Sequence, residues 1–170
     1  MILQLSLVSP LVVVRHRGKD GFVATVIENT IEIARSPDDV FDYLSDQGNE
    51  VHWNPECLSM EKLTPGPVGV GTRFRAKWKQ GPVVFTEVTA YERPHRWTYE
   101  NGGMISCVLT CTLESTANGG TRLTARGLWS GHGIARLFFP VFIRIMRKAE
   151  VQVLVNARRA MEERRDLAAA

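Results

Sequence analysis

Glycine and proline punctuate the middle of this chain at short intervals. Between residues 64 and 120, five turn clusters recur: Thr64-Pro65-Gly66-Pro67, Gln80-Gly81-Pro82, Arg93-Pro94, Asn101-Gly102-Gly103 and Asn118-Gly119-Gly120. Glycine and proline in such clusters mark tight reversals of direction. The intervals between them are rich in β-branched and aromatic residues, which predicts strands over 58–64, 72–80, 83–91, 96–100, 104–115 and 121–129. A parallel crossover needs roughly a dozen or more residues. Connections this short therefore force an antiparallel meander.

Upstream, the stretch from Phe22 to Ala34 puts Ile27, Ile31 and Ile33 on one face and Glu28, Thr30 and Glu32 on the other, the alternation of a half-buried strand. Ser36-Pro37-Asp38-Asp39 then changes the period. Ser36 suits an N-cap, Pro37 the first helical position, and the two aspartates the positive end of a helix dipole. Val40, Phe41 and Leu44 continue at helical spacing, so a short helix is predicted to about Asp46. A second brief helix through Val51, His52 and Trp53 is stopped by Asn54-Pro55.

Beyond Gly131-His132-Gly133 the period changes again. Ile134, Phe138, Val141, Ile145 and Ala149 form one stripe, with Arg136, Arg144, Arg147 and Lys148 on the other side, which predicts a long amphipathic helix whose stripe faces the sheet. Pro140 falls inside it and predicts a kink, or a break between a short lead-in helix and the main one.

This order defines an α+β domain of about seven strands, two short helices after the first strand and one long C-terminal helix. It is placed at residues 21–165, with a frayed tail at 166–170. A strongly curved sheet closes only part of the way around a single helix. The space that remains is lined by alternate residues of every strand, and apolar concavities of that kind are default ligand sites.

At 170 residues and 44% apolar composition, the chain has room for one ordinary core and none for several domains. Residues 1–120 hold 11 basic and 14 acidic side chains, whereas residues 121–170 hold 10 and 4, so the net charge of +3 resides in the last fifty residues. Residues 2–14 are mostly apolar but fall short of the roughly 20 that a spanning helix needs. A secretory signal would carry its basic residues before the apolar run, and here Arg15, Arg17 and Lys19 follow it. Residues 1–20 are accordingly read as an extension, loosely attached or forming an extra strand. Cys57, Cys107 and Cys111 show no metal-ligand spacing, and their sparse, odd number argues for reduced thiols and a cytoplasmic location. The four histidines are scattered, without the spacing of a metal site or a Ser-His-Asp arrangement.

The chain resembles the START-like superfamily, also called SRPBCC, in its polyketide cyclase/dehydrase and lipid-transport branch. The resemblance covers about residues 22–165 and rests on five strings in order. They are the segment from Ile31 to Leu44, Trp53-Asn54-Pro55, Gly69-Val70-Gly71-Thr72-Arg73-Phe74, the segment from Glu87 to Pro94, and Gly120-Thr121-Arg122-Leu123-Thr124. These mark a fold and not a catalytic site. The resemblance implies the helix-grip fold and a small hydrophobic ligand such as a lipid, isoprenoid or polyketide. It also implies, as the alternative, a cyclase or dehydratase that needs neither metal nor nucleotide cofactor.

Strand alternation nominates the cavity wall. Phe74, Ala76 and Trp78 share one face, as do Cys107, Leu109 and Cys111 with Ile105 and Leu113, and Ala125 and Gly127 with Leu123 and Trp129. Phe138, Val141 and Ile145 are assigned from the helix, and Trp53 from the rim between the short helices and the long one. The members Ala76, Cys107, Cys111, Ala125 and Gly127 are small for sealing a sheet against one helix, so empty volume is expected. Glu87 and Glu100 are considered as inward acids and read as outer-face carboxylates. Convergent polar groups are scarce on the inward sets, which favours a binding module over an enzyme. Arg73, Arg75, Lys77 and Lys79 make one strand face basic, but without an aromatic pair or recognition helix they are read as a solvated surface and not a nucleic-acid site. Weak contact of the basic helix with a membrane surface is the remaining partner considered.

Overall fold

The computed structural model describes residues 16–17 and 23–168. One antiparallel sheet has the order β1-β2-β8-β7-β6-β5-β4-β3. Its strands are β1 (His16–Arg17), β2 (Val23–Ile33), β3 (Cys57–Lys62), β4 (Arg73–Trp78), β5 (Val83–Glu92), β6 (Arg96–Asn101), β7 (Ile105–Ser115) and β8 (Thr121–Gly131). From β3 to β8 each strand pairs with the next, so this part of the sheet is the meander that the turn clusters predict. The long connection through the short helices lets β2 close against β8 instead of β3. Apart from the two-residue β1, the expectations for residues 1–20 fall outside the described residues.

Helices α1 (Pro37–Leu44) and α2 (Glu50–Trp53) flank a 3₁₀ turn over Gln47–Asn49. The Ser36 side chain accepts a hydrogen bond from Asp39 N at 3.3 Å, a cap of a kind that contributes about 1 kcal/mol. The α1 face carrying Val40, Phe41 and Leu44 is buried. Phe41 meets Tyr91 and Trp97 edge-on, with centroids 4.9 and 5.4 Å away, which fixes α1 over one end of the sheet.

A 3₁₀ segment (Gly133–Leu137) leads into α3 (Phe139–Ala168). Pro140 thus sits in the first turn of α3, where a missing N–H leaves no intrahelical bond unmade. The break precedes the main helix instead of kinking it, the second of the two alternatives. Packed chiefly across β2, α3 also touches β8 and α2.

The helix corrects one expectation. Phe139, Ile143, Leu154, Ala157 and Met161 are buried, while Ile134, Phe138, Val141 and Ile145 are exposed by 61–70%. Its first half carries apolar side chains over more than half of the circumference, so local periodicity does not choose between the two stripes. Only the continuation decides: from Ile143 the row leads through Met146 to Leu154, Ala157 and Met161, whereas from Ile145 it runs into Gln152, Asn156 and Arg159.

Candidate functional site

Strand register builds the concave wall row by row. One row runs Ile27, Gly127, Leu109, Tyr99 and Val88, and the next runs Asn29, Ala125, Cys111, Trp97 and Tyr91. Of the residues nominated from sequence, Phe74, Ala76, Cys107, Cys111, Ala125 and Gly127 are buried, and Leu109, Trp78 and Trp53 are half-buried. Trp53 packs against the main core. The strand residues are therefore brought together, and the helix trio Phe138, Val141 and Ile145 is not. Their place is taken by Ile143, Met146, Glu150 and Leu154 on the inward side of α3.

Leu109 lies on an inner row between Tyr99 and Gly127, yet keeps residual exposure while Tyr99 and Gly127 on either side are buried. A leucine there would be sealed if helix and sheet met over it. Two surface clefts of about 400 and 450 Å³ lie elsewhere, one beside Arg35 and the Asn118–Gly120 turn, the other along the outer side of β4–β6. Neither includes Leu109, Trp129 or Glu150.

Gly127 lacks a side chain for a local reason. A Cβ there would lie 2.6 Å from Trp129 Nε1 and 3.3 Å from Glu150 Oε1. The glycine lets the Trp129 indole lean over its own strand and donate to Glu150 Oε1 at 2.8 Å. Trp129 also stacks edge-on with Phe142, centroids 5.6 Å apart, so strand and helix are joined at this point by a ring contact and a hydrogen bond.

Among the described residues two carboxyls face inward, and both are on helices. Glu150 is pushed up to about 7 by burial, against which the Trp129 hydrogen bond works. Its other oxygen has no hydrogen-bond partner among the described residues. Glu50, in α2, accepts from Trp78 Nε1 at 2.8 Å and Asn54 Nδ2 at 2.6 Å, and burial raises its pKa as well. Cys111 is raised to about 12 and Cys107 further, by burial first and then by Glu150 nearby. Both are free thiols and stay protonated at neutral pH, so neither is a ready nucleophile.

The remaining inward polar groups are mostly engaged. Tyr99 OH donates to the Ser45 carbonyl, Ser45 Oγ and Tyr91 OH are 3.0 Å apart, and Thr86 Oγ1 donates to Gln47 Oε1. Asn29 Nδ2, Trp53 Nε1 and Arg147 Nε are buried without a partner. Sequence reasoning missed both inward acids because it sought them on strands. Glu87 and Glu100 lie on the outer face, as read, Glu87 paired with Arg73 at 3.8 Å and Glu100 accepting from Thr89 at 3.1 Å. The signal for Glu150 was its place in the helix, seven residues after Ile143 and four before Leu154. The basic strand is largely neutralised by its neighbours: Arg75 meets Glu61 at 3.3 Å and Lys79 meets Glu56 at 3.2 Å.

A curved antiparallel sheet wrapped on one long C-terminal helix, with apolar side chains along its concave rows, defines a START-like protein of helix-grip fold. Residues 24–162 match the model of the polyketide cyclase/dehydrase and lipid transport family, to which the chain belongs. No curated protein sequence matches it. Among solved structures, the Zhui aromatase/cyclase from Streptomyces sp. R1128 is similar at TM-score 0.69 and 14% identity, over 83% of this chain and 95% of that one. Norcoclaurine synthase from Thalictrum flavum is similar at TM-score 0.65 and 17% identity, over 85% and 98%. Ara h 8.0201 is similar at TM-score 0.63 and 17% identity, over 81% and 97%. At such identities these likenesses speak for the fold alone.

Proposed function

We propose that the protein binds a small apolar molecule of lipid, isoprenoid or polyketide type between the concave face of β6–β8 and the inward side of α3. The observation that carries this reading is the residual exposure of Leu109 at the centre of the sheet, where a packed interior would bury it. Leu109, Cys107, Cys111, Ala125 and Ile143 supply apolar contact, and Glu150 supplies one polar group to orient the guest. Trp53 and Trp78, both half-buried, form the far rim, backed by the fully buried Phe74 and Ala76. Three reduced cysteines fit a cytoplasmic setting. Native mass spectrometry of the protein from its own host tests the reading. A stoichiometric apolar adduct, released on denaturation, is expected; a chain that carries none and takes up no hydrophobic probe contradicts it.

A second reading is favoured by Glu150 itself. A carboxyl that titrates at about 7 is divided between acid and base forms at neutral pH, the condition under which one group both removes and returns a proton. In a cyclase or dehydratase it would do so on a guest held against Leu109. Glu150→Gln separates the two: a carrier keeps its ligand, whereas an enzyme binds substrate and loses turnover.

A further inference from the structure

Ile134, Leu137, Phe138, Val141 and Ile145 are each exposed by 61–76%, and they follow one another along the 3₁₀ segment and the first turns of α3, turned away from the buried Phe139 and Ile143. Isolated exposed apolar side chains are ordinary, but a contiguous ridge of five large ones marks an interaction surface. The charges beside it indicate what kind. Arg136, Arg144 and Lys148 are exposed, and no acidic residue occurs between Gly133 and Ala149. Unlike Arg73 and Arg75 of β4, which face Glu87 and Glu61, these three have no ion-pair partner among the described residues.

We propose that this ridge seats the protein on an anionic lipid bilayer, the apolar side chains entering the headgroup boundary while Arg136, Arg144 and Lys148 engage lipid phosphates. A helix with one large apolar side flanked by arginine and lysine is the form that lies in a membrane interface, and anionic lipid attracts each nearby cation. A second copy of the chain fits the same ridge poorly. Across a two-fold axis the same patch meets itself, which sets these cations against their own kind with no carboxylate to pair them. Among the described residues no helix is long and apolar enough to cross a membrane.

Co-sedimentation of the full chain with vesicles tests this, using phosphatidylcholine alone and phosphatidylcholine mixed with phosphatidylglycerol. The expected result is capture by the mixed vesicles, weakened at high salt, and little by phosphatidylcholine alone. Val141→Ser with Ile145→Ser should lower capture about tenfold or more. Arg144→Glu with Lys148→Glu should lower it at least as far, since one lost cation near such a surface is worth about fivefold. Both pairs should melt as the parent does, because these side chains are exposed. Equal capture by the two vesicle types, or capture unchanged in either pair, overturns the proposal. So does a concentration-dependent dimer that these substitutions abolish while the parent ignores vesicles, because the ridge is then a contact between copies.

Discussion

Gly127 and Glu150 face one another across the gap between β8 and α3, so closely that a methyl on the glycine would stand 3.3 Å from the carboxyl oxygen. The same methyl would press on the Trp129 indole at 2.6 Å. Gly127→Ala must therefore push the ring aside and stretch or break its hydrogen bond to Glu150. A loss of about 1–3 kcal/mol is expected in urea unfolding, from overpacking and the disturbed bond together. An unchanged midpoint would mean that the indole does not lie over Gly127.

The burial of Glu150 makes stability depend on pH. Its carboxyl titrates near 7 in the folded protein and near 4.5 as an ordinary glutamate, so the folded state holds the proton more tightly. The stabilisation is complete below about 4.5 and is lost as pH rises through about 7. Glu150→Gln can still accept from Trp129 and never ionises. It should melt like the parent at acidic pH and be more stable by about 1–3 kcal/mol at alkaline pH, an upper range because the side chain keeps some solvent contact. Thermal melts of both proteins across this range decide it; parallel curves contradict the assignment.

The phase of α3 is testable by paired substitutions two residues apart. Ile143 is 5% exposed and packs with Ile27 and Phe139, so Ile143→Ala should cost about 2–5 kcal/mol. Ile145 is 61% exposed, and Ile145→Ala should change stability by no more than about 0.5 kcal/mol. Reversed magnitudes would restore the stripe through Val141 and Ile145.

What could be read from sequence follows from how local each signal is. The meander was legible because glycine, proline and asparagine clusters fix reversals without tertiary help, and the Ser36-Pro37 start of α1 because cap chemistry is local. Strand alternation placed Cys107, Leu109, Cys111, Ala125 and Gly127 on one wall, since a period of two leaves no phase to choose once one residue is inward. The helix was different. With apolar side chains over more than half the circumference of its first half, the inward face is settled by where the row leads a dozen residues later, and Glu150 became visible only on the corrected face. The meaning of Gly127 was also out of reach. Its smallness suggested room for a guest, whereas the indole of Trp129, two residues along the same strand, occupies that room.

Leu109→Trp places a larger ring where the apolar guest would lie. If the space above Leu109 is open, the larger ring fills it. Uptake of a hydrophobic fluorescent probe should then lose the interior site, leaving at most what binds the exposed ridge, while the melting temperature holds or rises. In a closed interior the same change would overpack the core and cost about 1–3 kcal/mol. A destabilised variant whose probe binding equals the parent's would mean that no guest lies against Leu109.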